Sequence, residues 1–157
     1  MITTNAMRLL TKAGIPFRTS EYEVDESDLS GVHAAQSLGI DPDRMFKTLV
    51  ARGDKKGVAV FCIPVAEELD LKKAAAVTGD KKVEMIHVRE LLGLTGYIRG
   101  GCSPVGMKKS YPTFIDETAV LFDEIYVSAG TRGQQIILDP EQLRAYVGAS
   151  FADLTKR

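Results

Sequence analysis

Six consecutive residues, Met45-Phe46-Lys47-Thr48-Leu49-Val50, set a primary amine inside an otherwise apolar run. The run reads as a buried strand. Lysine is rarely buried without a partner or a task, because taking an ammonium ion out of water costs several kcal/mol unless an anion compensates. Lys47 therefore either points from the strand into a cleft or lies on a solvated face. An edge-strand lysine that discourages aggregation is the plainer alternative. A second stretch, Gly100-Gly101-Cys102-Ser103-Pro104-Val105-Gly106, favours the cleft. Paired glycines let main chain approach another molecule with no Cβ in the way. Amides from Gly100 to Ser103 are then available to stabilise a developing oxyanion. Lys47 would supply a point charge for a phosphate, a ribose or an ester carbonyl.

Other reactive side chains are few. Cys62 and Cys102 lie far apart, without metal-ligand spacing, and His33 and His87 are the only histidines. No disulfide scaffold, zinc site or other metal site is expected, and no Ser-His-Asp set is legible. Cys62, in an apolar run, reads as an inert core residue, and His87, near a helix start, as structural. The glycine-rich connection over 93–106 fits neither the phosphate-loop nor the dinucleotide-binding pattern, so no nucleotide cofactor is expected.

The chain must hold these residues with 157 residues, 45% hydrophobic and 26% charged, and a formal net charge of −1. That suits one domain over 1–157 with a sizeable core. No global basic field points to nucleic acid, so any polyanion is met locally. The start lacks a basic region followed by an apolar one, and no apolar run approaches the ~18 residues of a spanning helix. A cytoplasmic, non-membrane protein is expected.

The elements follow from punctuation and periodicity. A helix capped by Asn5 carries Met7, Leu9, Leu10 and Ala13 and stops at Gly14. A strand covers 17–24, followed by an acidic turn over 25–28. Ser30 caps a helix over 31–38 that Gly39 ends. A turn over 41–43 delivers the chain to the Lys47 strand. Gly53-Asp54-Lys55-Lys56-Gly57 is a hairpin loop. The strand over 58–63, apolar almost throughout, should be central and buried on both faces. Asp70 caps a helix over 71–77 closed by Gly79. A short apolar piece at 83–86 and a helix at 87–92 precede the loop over 93–106. Strands are expected at 112–115, 124–129 and 135–138, with a second turn over 128–133, and a final helix opens at Asp139-Pro140. The fold class is α/β (α+β): a mixed, largely antiparallel, barrel-like sheet flanked by helices.

Taken together, Phe46-Lys47-Thr48-Leu49, Leu69-Asp70-Leu71-Lys72-Lys73, Thr95-Gly96-Tyr97, Gly100-Gly101-x-Ser103-Pro104 and Tyr126-Val127-Ser128-x-Gly130-x-Arg132-Gly133 resemble the YbaK/EbsC proteins. These are free-standing relatives of the editing domain of bacterial prolyl-tRNA synthetases. The resemblance spans nearly the whole chain, with its motifs in order. It implies the editing-domain fold and an aminoacyl-tRNA deacylase, typically acting on cysteine misattached to proline tRNA. It implies Lys47 as the essential lysine. Tyr22, Phe46, Thr48, Gly100, Gly101, Ser103, Pro104, Ser128, Gly130 and Arg132 are implied around the substrate. Implied partners are the acceptor end of aminoacyl-tRNA and a prolyl-tRNA synthetase; monomer and dimer stay open. Ala129, Thr131 and Gln135 depart from the family pattern, the last at a place expected to be acidic. In the family the substrate's own thiol is held to attack its carbonyl, which suits a site without a protein nucleophile.

Two other readings stand beside this one. A non-catalytic module of the same fold would grip an acceptor end or dock on a synthetase. A small-ester hydrolase would use Cys102, although no base is evident to activate that thiol.

Overall fold

The computed structural model describes residues 2–156. Helix α1, Asn5–Lys12, opens the chain. Its cap is Thr4, not Asn5: the Thr4 hydroxyl accepts from the Met7 amide at 3.3 Å. Strand β1, Arg18–Glu21, is shorter than the expected 17–24. Helix α2, Gly31–Leu38, has the expected Ser30 cap and Gly39 stop. After a 3₁₀ turn at Pro42–Arg44 come β2, Phe46–Gly53, and β3, Gly57–Pro64, joined by the expected hairpin. Helix α3, Leu71–Thr78, carries its Asp70 cap. Strand β4, Val83–Met85, leads to α4, Val88–Thr95. That helix runs past Gly93, so the glycine-rich loop starts only at Gly96. Strands β5, Thr113–Asp116, β6, Ile125–Ser128, and β7, Gln134–Leu138, precede α5, Pro140–Val147. Two pieces are unexpected: a 3₁₀ turn at Glu117–Leu121 and an edge strand β8, Ser150–Ala152.

Two sheets result, ordered β1-β7-β6 and β4-β2-β3-β5-β8. The first is antiparallel; in the second, β3-β5 and β5-β8 are parallel. The mixed, largely antiparallel expectation holds. The sheets do not close into a barrel: they meet where Met45 bridges Tyr126.

Burial shows how the layers stack. Phe46, Val50, Val60, Cys62 and Ile115 of the larger sheet share a core with Ile125, Val127, Ile136 and Leu138 of the smaller one. Leu10 of α1 and Leu143 of α5 close it. On the other face of the larger sheet, Ala51, Phe61 and Ile63 pack against Ala74 and Ala75 of α3. Burying β3 on both faces explains its continuous apolar sequence. A third cluster seats Ala34 and Ala35 of α2 on Met45, Tyr126 and Ile137, so α2 roofs the seam between the sheets.

Candidate active site

At that seam the chain leaves a strand edge uncovered. Strand β2 pairs with β3 along its whole length. On its other side, β4 meets only Ala51–Gly53. Among the described residues no strand pairs with that side over Lys47–Leu49. The Met45 carbonyl accepts from the Val65 amide at 2.9 Å on the β3 side, and the Val50 carbonyl from the Ile86 amide at 3.3 Å on the β4 side. Main-chain groups alternate sides along a strand, so the Thr48 amide and carbonyl face the gap.

The gap is a cavity of about 360 Å³. Its walls come from Leu29, Ser30, Gly31 and Ala34 around α2, from Met85, Ile86, Val88 and Leu91 around α4, from the loop at Arg99, Gly100 and Cys102, and from Ser128 and Gln135 of the smaller sheet. Of the residues implied by the sequence, Tyr22, Phe46, Lys47, Thr48, Gly100 and Ser128 line it. Gly101, Ser103, Pro104, Gly130 and Arg132 do not; they sit behind the wall.

Gly101, Gly130 and Arg132 hold the two loops together. The Gly101 amide is committed to the Ile98 carbonyl at 3.0 Å. A Cβ on Gly101 would press on the Thr131–Arg132 main chain at 3.2 Å. Its lack of a side chain therefore serves loop-to-loop contact, whereas Gly100, with φ +85°, lines the cavity. Ser103 is buried and its hydroxyl accepts from the Val105 amide at 3.2 Å. A Cβ on Gly130 would meet the Tyr97 ring at 2.9 Å. Arg132 donates to the Arg99 carbonyl at 2.8 Å and pairs with Glu26 at 3.1 Å, tying the loop to the acidic turn.

Lys47 is half-buried in this setting. Burial pushes its ammonium below the ordinary lysine range, only partly offset by the more distant Glu68 and Glu67. Glu68 is itself paired with Lys156 at 3.1 Å. Among the described residues no carboxylate lies within ion-pairing distance of Lys47. An ammonium held partly dehydrated without a counterion is poised for an anionic or carbonyl ligand.

The thiols are in the opposite condition. Burial pushes Cys102 up to about 11 and Cys62 up to about 12. Both stay protonated at neutral pH, which removes the thiolate a cysteine nucleophile requires. His87 begins α4, its amide donating to Glu90 at 3.0 Å. His33 lies 4.0 Å from Asp28. Neither histidine lines the cavity. Among the described residues no group of three or more His, Cys, Asp or Glu side chains gathers as a metal site would require, and no helix is long and apolar enough to cross a membrane.

Of two further cavity residues, Arg99 and Gln135, the first escapes a reading of motifs. Arg99 is an exposed second cation at the mouth, in a loop with no periodicity to betray its direction. Gln135, already marked in the sequence as a departure from the family pattern, is buried beside Gln134 in a strand whose other residues are apolar. A glutamine at a core position was the available signal.

The chain as a whole has counterparts among known proteins. Residues 29–146 match the aminoacyl-tRNA editing domain. An Enterococcus faecalis protein named "Putative Cys-tRNA(Pro)/Cys-tRNA(Cys) deacylase EbsC" is 49% identical over 154 residues, covering 98% of this chain and 94% of its own length. A Thermosipho melanesiensis proline–tRNA ligase is 26% identical over 146 residues, 85% of this chain but only 25% of the ligase. A solved structure described as a "putative trans-editing enzyme for prolyl tRNA synthetase" superposes with a TM-score of 0.84 at 28% identity, covering 100% of both chains. With a family match over most of its length and a near-full-length relative at this identity, the chain belongs to the aminoacyl-tRNA editing domain family.

Proposed function

We propose that this protein is a trans-acting editing hydrolase that deacylates mischarged aminoacyl-tRNA, with cysteine on proline tRNA as its substrate. One observation carries the reading: a half-buried ammonium with no counterion, Lys47, borders a cavity whose neighbouring thiols are both protonated. Such a site has the means to place and polarise an ester and lacks an activated side-chain nucleophile. An aminoacyl ester is already reactive, so placement and charge stabilisation suffice.

In this mechanism Lys47 is the catalytic residue, holding the terminal nucleotide and polarising the ester carbonyl. The amides of Gly100 and Cys102, residues that line the cavity, are the ones this mechanism assigns to the developing oxyanion, since that of Gly101 is already used. Tyr22, Phe46, Thr48 and Ser128 shape the rest of the cavity, while Ser103, Pro104, Gly130 and Arg132 keep the loops in place. The cysteinyl sulfur attacks its own carbonyl carbon. A C–S bond forms, the ester C–O bond breaks, and the thiol proton passes to the departing ribose oxygen. Water then opens the cyclic thioester to free cysteine.

Residues 1–157 act as one editing domain in the cytoplasm. A net charge of −1 leaves few contacts for choosing among tRNAs, which supports a prolyl-tRNA synthetase as the partner that supplies selection. The test is a deacylation panel: cysteinyl-, alanyl- and seryl-tRNA of proline identity with purified protein. Cysteinyl-tRNA should be cleaved far faster than the others, which carry no thiol. Binding of all three without cleavage of any would reduce the protein to a non-catalytic module.

A further inference from the structure

The mouth of the cavity carries apolar surface that the mechanism above does not use. Met85 and Val88 line the cavity, yet they are 44% and 62% exposed. Leu92, 54% exposed, lies one turn along α4 from Val88 and on the same face. Apolar side chains scattered singly over a surface are ordinary, but a stripe leading out of a cavity marks a place of contact. Gly93 continues that face. It sits inside a helix, where alanine is the better helix former. Its φ is not positive, and a Cβ there would meet nothing within 4 Å. Nothing in the fold calls for a glycine at this place, whereas a bare stretch of helix suits a flat group lying close against it.

Cations border the stripe. At about 3.6 residues per turn, Arg89 follows Val88 and Leu92 around α4, and Arg99 lines the mouth from the glycine loop. Among the described residues neither guanidinium has an ion-pair partner. The carboxylates of this stretch are already taken: Glu84 pairs with Lys82 at 2.9 Å and Glu90 with Arg52 at 3.0 Å. An apolar strip edged by free guanidinium groups is complementary to a nucleotide, base on the strip and phosphate at its margin. The way the substrate is joined names the occupant. With the aminoacyl group at Lys47, the ester ties it to the 3′-terminal adenosine of the tRNA, so that nucleoside is the first group outside the cavity. Helix α4 advances about 6 Å between Val88 and Leu92, enough for one base lying along it.

We propose that the α4 face made by Met85, Val88 and Leu92 seats the terminal adenine of aminoacyl-tRNA, with the phosphate on its 5′ side facing Arg89 and Arg99. This rests on the editing reading. Such a seat grips an end that every tRNA shares, and so leaves the choice among tRNAs to other contacts.

The test uses two non-hydrolysable ligands: 3′-deoxy-3′-amido-adenosine carrying cysteine, and the same cysteinyl amide on a 1-deoxyribose ring that bears no base. Calorimetry on the unmodified protein should show the baseless ligand binding about ten-fold more weakly, which is what about 60 Å² of apolar contact yields. Val88→Ser combined with Leu92→Gln should weaken the adenosyl ligand alone and erase that difference; both side chains are exposed, so the fold does not depend on them. A 5′-phosphate on the adenosyl ligand should tighten binding about three-fold in low salt, the scale of an exposed ion pair, and Arg89→Gln combined with Arg99→Gln should abolish the gain. Equal affinity of the two ligands for the unmodified protein overturns the proposal without any variant, and is the result to expect if the stripe docks a protein instead. A base contribution that survives the double substitution overturns it as well, since the adenine then lies elsewhere. A phosphate that adds nothing overturns the placing of the nucleotide against Arg89 and Arg99. If neither ligand binds the unmodified protein, the editing reading falls first.

Discussion

The two halves of β2 are one strand treated in two ways. Over Ala51–Gly53 it has neighbours on both sides, β3 and β4. The loops beyond this half are latched to each other. The Asp80 carboxylate accepts from the Lys55 and Lys56 amides at 2.9 and 2.7 Å, and Asp54 returns the arrangement to Lys81 and Lys82 at 3.0 and 3.2 Å. Over Lys47–Leu49 one side pairs with no strand among the described residues, and the cavity begins there. The closed half spends its main-chain groups on the fold. The open half withholds them and sets an ammonium beside them. An active site here amounts to a sheet deliberately left unfinished, at a cost the closed half and the β3 core must offset.

The largest effect separates the halves by activity. Lys47→Ala should lower deacylation by at least ~100-fold, the scale of losing one charge-positioning group. The melting temperature should hold or rise, because a partly dehydrated ammonium is removed. A folded variant with near-normal turnover would take Lys47 out of the chemistry.

Gly53→Ala, in the closed half, should do the converse. Its new methyl would lie 1.9 Å from an Asp80 oxygen, so the whole carboxylate must move and surrender its amide partners. Stability should fall by about 1–3 kcal/mol in urea titration, with turnover per folded molecule unchanged. Lost activity in a protein still fully folded would show that the two halves are not independent.

Gly101→Val tests the wall between them. The contact is with main chain of the second loop at 3.2 Å, which cannot rotate away. A loss of about 1–3 kcal/mol is expected, as for an overpacked site. A variant as stable as the parent but inactive would instead place Gly101 against the substrate.

Alkali should act on the buried acids. Cys102, Cys62 and Tyr97 are raised by burial, to about 11, 12 and 12. A raised folded pKa means the unfolded chain releases its proton first. The stability from each group is complete below its unfolded value, about 8.5 for a thiol and 10 for tyrosine. It drains as pH climbs toward the folded value. Lys47, lowered by burial, pulls the other way near pH 10. Urea midpoints should therefore decline between pH 8 and pH 10.5, and Cys62→Ala should flatten that decline. A flat profile in the parent would mean the thiols reach water.

The smallest effect is expected at Cys102. Cys102→Ser should be nearly silent in turnover, since a buried thiol held protonated up to about 11, without the proximity of a bound substrate's own thiol, is a poor nucleophile at neutral pH. Loss of most activity would restore it as a nucleophile. A silent variant that also cleaves alanyl- and cysteinyl-tRNA at equal rates would point to an activated water beside Lys47.

Much of this molecule is written locally. Ser30 and Gly39 bound α2, Asp70 and Gly79 bound α3, and Asp139-Pro140 opens α5, because caps and stops are decided within a few residues of chain. The hairpin between β2 and β3 is equally local, and the unbroken apolar run of β3 announces its central place. Lys47 was conspicuous for the same reason: an ammonium in an apolar strand is a contradiction visible in one dimension. The rest depended on what folds beside what. Asn5 and Thr4 are both sound caps, and only the register of the first turn chooses Thr4. Gly100 and Gly101 are identical letters, yet one lines the cavity and the other seats a neighbouring loop thirty residues on. Arg132 resembled a ligand contact until its partners proved to be Glu26 and the Arg99 carbonyl. Gln135 revealed its orphaned oxygen only once β1, β6 and β7 were laid side by side. Sequence carries the preferences of each residue for its own backbone and for water. Which side of a strand stays uncovered, and which polar atom is left there without a partner, depends on contacts between segments far apart in the chain.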